Sequence, residues 1–244
     1  MLINILLTIS SLFPNDEKIA SFEKKIRKNE LSFSRFQVVY WNPHEPFLSL
    51  GVGHFIWFPK DQTFPYEEAF PKLLKFLKQE KCNLPTWIKD DCSCPWKTRA
   101  EFEKDLDKQN DLRKLLEDTT ALQTRFIVIN SFDVFERIVA SCVETEKTKI
   151  NDRIESLLKD PRGLFALIDY NHFKGSGLYV KEYRHGKGFG LKQVLEAMPD
   201  DSINLDTFVK TAQDILKERV RLSQGREEKW LSGWLKRIDR YRQI

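Results

Sequence analysis

The sequence predicts a mainly α fold of the α+β kind, a helical bundle carrying a small β-hairpin or loop layer. Apolar residues recur at helical spacing over most of the chain, and two stretches rich in Gly and aromatics, residues 31–58 and 161–190, interrupt that pattern. The composition, 41% hydrophobic and 12% aromatic, supplies a substantial core and excludes a disordered chain. Gly and Pro are scattered and no repeat occurs, so residues 15–244 read as a single domain in two lobes.

Taking the elements in order, residues 2–13 form an apolar run that ends at Pro14-Asn15-Asp16. The run is too short to span a bilayer. Residues 1–14 suit a trimmed or weak export signal better than a buried N-terminal helix, although a basic n-region and a small-x-small cleavage site are missing. That reading sends the chain to the periplasm or cell envelope, with the cytoplasm as the alternative. A helix is expected over 16–30, capped by Asn15 or Asp16, with acidic residues at its start and Lys24, Lys25, Arg27 and Lys28 near its end. Ile19, Phe22 and Ile26 mark its inward stripe, and at ~100° per residue Glu30 falls on the same side, as Glu23 nearly does. Residues 37–40 and 48–58 suit short strands or a tight loop layer, and 59–65 a turn. Helices are expected over 65–80, 98–117, 119–144 and 149–159, the second opening on the capping-box spacing Thr98 to Glu101. Residues 161–190 break the pattern, and helices resume over 190–197 and 204–222. The tail, 226–244, places Trp230 and Trp234 four residues apart.

Charge and special residues narrow the function. A net charge of +4 suits an anionic polymer without requiring one. Nucleic-acid signatures are missing, as are phosphate loops, nicotinamide fingerprints and Cys/His nucleophile patterns. Cys92-Ser-Cys94 is a C-x-C, not a C-x-x-C, and with four His in the chain no metal centre is expected; no cofactor is implied. Cys82, Cys92, Cys94 and Cys142 are read as structural, any disulfide pairing staying open.

The chemistry-bearing string is Leu48-Ser49-Leu50-Gly51-Val52-Gly53-His54-Phe55, which follows Glu30 and Trp41-Asn42. Over residues 16–58 this resembles the active-site region of phage-type lysozymes. In that family a catalytic Glu ends the first long helix, and a carboxylate loop comes next. A hydroxyl residue and a Gly-x-Gly-His turn follow. The resemblance implies a lysozyme-like fold with a catalytic cleft and cleavage of the β-1,4 bonds of peptidoglycan. It places Glu30 as proton donor, Ser49 as the group that positions water or substrate, and Gly51, Gly53 and His54 as the turn. General acid chemistry at a glycosidic oxygen needs a carboxyl still protonated near neutral pH, and an inward Glu at a helix C-terminus is pushed that way by desolvation and the helix dipole. Glycines would let backbone approach a sugar, and Trp41 would stack on one; Asn42 sits in the same loop. Trp57 and Phe55 are read as core, and His54 as a hydrogen-bonding residue rather than a base.

One departure stands out. Where the phage enzymes carry an Asp, this chain has Asn42 and Pro43, and the nearest acid is Glu45. Either Glu45 is a displaced second carboxylate, or there is none, as in a lytic transglycosylase, which needs a single acid/base. A second string, Gly188-Phe189-Gly190-Leu191-Lys192-Gln193-Val194-Leu195, is similar to a stretch of goose-type lysozymes and lytic transglycosylases, in a different chain order. With Asp169 and Tyr183, Gln193 is expected to line the opposite wall of the cleft; alternatively Asp169 and Lys174 form a structural ion pair. The expected partner is peptidoglycan or a related amino-sugar polymer, handled by a monomer without stable membrane insertion. The alternative from another class is a non-catalytic glycan- or protein-binding module on the same scaffold, and a chitosanase-like or chitinase-like enzyme is a third option.

Overall fold

The computed structural model describes residues 38–179, 183 and 185–243. It is mainly helical with a small antiparallel sheet. The described chain divides into two compact units, 38–128 and 129–243, with the division inside one long helix. No helix of the described residues is long and apolar enough to cross a membrane.

The first unit opens with three short strands, β1 (Val39–Tyr40), β2 (Leu48–Leu50) and β3 (Phe55–Trp57), paired in that order. The expected run 48–58 is thus two strands, because Gly51 and His54 take positive φ and turn the chain between them. Helix α1 (Phe70–Gln79) starts five residues later than expected, with Pro71 in its first turn, where a missing N–H costs nothing. Its stripe Phe70, Leu73, Leu74 and Leu77 is fully buried, and Phe70 packs on Trp57 at 4.8 Å between ring centroids.

The helix expected over 98–117 is two: α2 (Arg99–Lys104) and α3 (Leu106–Asp118). Asp105 divides them, since its carboxylate accepts from the Lys108 backbone N–H and from Trp96 Nε1 and so caps the second. Thr98 Oγ1 accepts from the Glu101 N–H as the capping spacing predicts, but the Glu101 carboxylate reaches Lys97 N–H instead of its cap residue. Helix α4 (Thr120–Ala140) then crosses the division.

The second unit holds α5 (Glu144–Leu158), α6 (Pro161–Lys174), α7 (Leu191–Ala197), α8 (Leu205–Leu222) and α9 (Glu228–Asp239), closed by a 3₁₀ turn, Arg240–Gln243. Residues 161–174 correct the expectation of an irregular segment. Asp160 caps this helix, Pro161 opens it, and Leu164 through Tyr170 are all buried. A helix apolar all round shows no amphipathic period, which is why its Gly and Pro read as breakers. Gly163 is there because a Cβ would collide with the Leu157 carbonyl. Buried Arg153 of α5 donates to the carbonyls of Leu195, Glu196 and Met198 at the end of α7 and pairs with Asp200 at 2.6 Å. It thereby takes up carbonyls that a helix end leaves without partners. All four cysteines are free thiols, and burial pushes the Cys94 thiol up to about 12.

Candidate functional site

The β2–β3 hairpin carries the residues that sequence analysis singled out. Strand alternation sends Val39, Leu48, Leu50, Phe55 and Trp57 into the core, and they are almost completely buried. On the other face Tyr40, Ser49 and Ile56 stand abreast, because Ser49 is registered opposite Tyr40 on one side and Ile56 on the other. Tyr40 is 43% exposed, so this face presents a phenol beside the Ser49 hydroxyl rather than a packed core.

The turn is set from below. Gly51 has φ 70 and its N–H donates to Val38 O at 2.7 Å; His54, with φ 47, donates to Gly51 O at 3.3 Å. Gln123 of α4, fully buried, accepts from Val52 N–H at 3.0 Å through Oε1. Its amide donates to Leu116 O, one of the last carbonyls of α3, and to Thr119 Oγ1. One side chain therefore ties the hairpin turn to the α3–α4 junction. Sequence analysis missed Gln123, yet the signal is there: it takes the inward place in the spacing Gln123, Phe126, Ile127, where an apolar residue is expected.

The glycines serve this packing. A Cβ on Gly51 would overlap Gln123 Oε1, and one on Gly53 would lie 2.5 Å from the Phe55 ring. Gly51→Ala is expected to cost about 1–3 kcal/mol, combining a left-handed backbone strain with displacement of Gln123. Gln123→Leu is expected to cost a similar amount by leaving the Val52 and Leu116 groups without partners. Urea unfolding curves of the two variants check both values, and wild-type midpoints would count against the brace.

Trp41 is not the exposed platform expected of it. It is 6% exposed, lies 5.9 Å from the Phe102 ring, and donates from Nε1 to Glu45 O at 3.0 Å. That bond, with Glu45 N–H to Asn42 O and His44 N–H to Asn42 Oδ1, closes a tight turn over residues 41–45. Asn42 is occupied in shaping the turn. The half-buried Glu45 side chain makes no hydrogen bond or ion pair among the described residues. Glu30 lies outside the described residues.

Asp169, Tyr183 and Gln193 belong to the second unit and are held by it. Asp169, 5% exposed and facing inward from α6, accepts from Arg237 at 2.7 and 2.9 Å and from the Tyr241 hydroxyl at 2.6 Å. Lys174 lies over the rings of Trp234 and Phe173. Gln193 accepts from Gly190 N–H and donates to Gly177 O, and Gly177 and Gly188 leave room for its amide. The Tyr183 hydroxyl reaches Gly177 O at 3.5 Å. Asp169 is buried in these contacts, which join α6 to the C-terminal segment, while Tyr183 and Gln193 are half-buried.

Glu68 is a carboxyl that sequence analysis passed over, although an acid inside the aromatic string Phe64-Pro65-Tyr66-Glu67-Glu68-Ala69-Phe70 is itself a signal. It accepts from Phe58 N–H at 2.7 Å, just past β3. Desolvation raises its pKa above the usual carboxylate value, against the lowering effect of that bond. A carboxyl with a raised folded pKa binds its proton more tightly in the native state, so stability falls as pH rises from the ordinary value through the folded one. Glu68→Gln is therefore expected to raise the melting temperature at pH 7 and to lose that advantage below about pH 4. Melting curves across pH 3–8 check this, and a destabilised variant at pH 7 would contradict it.

No family model, no curated protein and no solved structure matches the chain.

Proposed function

We propose that the chain is a lysozyme-like enzyme of the cell envelope that cleaves the β-1,4 glycosidic bonds of peptidoglycan by general acid/base catalysis from Glu30. The observation that carries this reading is the hairpin: Ser49 in mid-strand, then a Gly51–His54 turn braced by Gln123, within a mainly helical chain. This is the local structure that the phage-lysozyme resemblance implies for that string.

In this mechanism the Glu30 carboxyl passes its proton to the leaving glycosidic oxygen as the bond to the anomeric carbon breaks. The Glu30 carboxylate then takes a proton from the group that attacks that carbon. If the attacker is water, held by the Ser49 hydroxyl with Glu45 as auxiliary carboxylate, the product has a reducing end. If it is the sugar's own hydroxyl, an anhydro ring closes and no second carboxylate is needed. Zymography on purified peptidoglycan with Glu30→Gln as control tests the activity. No clearing by the wild-type chain would exclude it.

A second reading, a non-catalytic glycan- or protein-binding module, is favoured by Asn42 and Pro43 standing where the phage enzymes carry an Asp and by the pairing of Asp169 with Arg237 and Tyr241. Binding to peptidoglycan without product release would select it.

A further inference from the structure

The C-terminal helix α9 carries a feature that the hairpin chemistry does not use. Trp230 is 48% exposed, the largest of the exposed apolar side chains among the described residues. The ring is not loose. It stacks on Trp234 at 6.2 Å and 23°, and Trp234 is held in turn by Lys174 Nζ over its face and by the edge of Phe173. An exposed ring already fixed in place loses little conformational freedom when something stacks on it. Beside it on the same face, one turn along, Gly233 has no atom within 4 Å of where a Cβ would stand, so the floor next to the ring is open.

The surroundings are cationic. Six basic and three acidic residues fall between 226 and 242, so this short segment holds +3 of the chain's +4. Lys229, Lys236 and Arg240 are exposed and form no ion pair among the described residues, and Lys229 Nζ lies over the Trp230 ring, 4.8 Å from its centroid, on a flexible stem that a ligand can move aside. A fixed aromatic side chain with an ammonium against its ring, on a cationic segment, matches an amino-sugar strand whose peptide stems carry carboxylates: a sugar C–H face stacks on the ring while the acids meet the cations. A lipid surface fits less well, because Trp230 is the one large exposed apolar side chain on α9, and an interfacial helix needs a continuous apolar face.

We infer that Trp230, with Lys229 against its ring and the cationic segment around it, is a second glycan-holding surface. It rests on the peptidoglycan reading above and takes an anionic amino-sugar strand of that polymer. It lies in the second unit, away in sequence from the Ser49 hairpin, and holds polymer without taking part in bond cleavage.

Co-sedimentation with purified sacculi tests it, using full-length chain carrying Glu30→Gln so that the polymer stays intact. Adding Trp230→Ala is expected to weaken retention about tenfold, the effect of losing one well-placed aromatic anchor. Trp230→Phe, which keeps a stacking face, should recover most of it. Equal retention with Ala, or no retention of any variant, overturns the inference. So does Trp230-dependent binding to a single-stranded oligonucleotide in place of sacculi. Cleavage by the unmutated chain with Trp230-independent retention sinks this surface alone. Trp230-dependent retention by a chain that never cleaves sinks the catalytic reading and leaves the surface standing.

Discussion

Glu30→Gln is expected to lower the rate of peptidoglycan cleavage by about 10²–10⁴, the usual contribution of a positioned general acid. Gln keeps the size and polarity of the side chain but carries no transferable proton. Binding should therefore persist while turnover collapses, a fall in kcat with little change in KM. The acid must be protonated to act, so the wild-type kcat should decline on the alkaline side as that proton is lost, and this limb should vanish in the residual activity of the variant. Turbidity clearance of sacculi measures the rate, and soluble fragments measure the pH profile. A variant retaining most of its activity would remove Glu30 from the mechanism and return attention to Glu45 and Glu68.

The other large effect concerns stability. Asp169→Ala is expected to destabilise the chain by about 3–5 kcal/mol, the cost of removing one partner from a buried pair. The Arg237 guanidinium, about one-fifth exposed, would lose both of its bonds to the carboxylate, and the Tyr241 hydroxyl its acceptor. Burial, and then the Asp169 charge, hold the Tyr241 phenol well above its usual pKa, so it stays protonated and donates. Asp169→Asn, which keeps an acceptor, should lose less. Against a total stability of about 5–15 kcal/mol this loss is large. Denaturant unfolding provides the value. If Asp169→Ala kept wild-type stability and instead lost cleavage, Asp169 would belong to the site after all.

Much of the fold was legible where burial is one-sided. Helix α8 was readable because Phe208, Val209, Ala212, Leu216 and Val220 are buried while Lys210, Asp214 and Lys217 between them face water, so the period survives in the sequence. Helix α6 was not, because its interior is buried on every side and has no period to find. The break at Asp105 was also hidden, since a short acidic cap between two helices looks like one more polar residue on a helix surface.

The site divides along similar lines. The hairpin was legible because a turn with two positive-φ residues leaves a local signature in Gly51-Val52-Gly53-His54. Roles that depend on distant partners were not. Trp41 looked like a sugar platform until its ring was placed against Phe102, and Asp169 looked like a cleft residue until Arg237 and Tyr241 arrived from some seventy residues further on. Chemical type suggests what a side chain can do, while its partners decide what it does.

Mass spectrometry of the soluble products from purified peptidoglycan tests the central claim most directly. The wild-type chain is expected to release disaccharide-peptide fragments, with reducing ends if water attacks and anhydro ends if the sugar closes on itself, and Glu30→Gln is expected to release none above background. Fragments cut at peptide bonds, equal release by both chains, or no release by either would contradict glycosidic cleavage by Glu30.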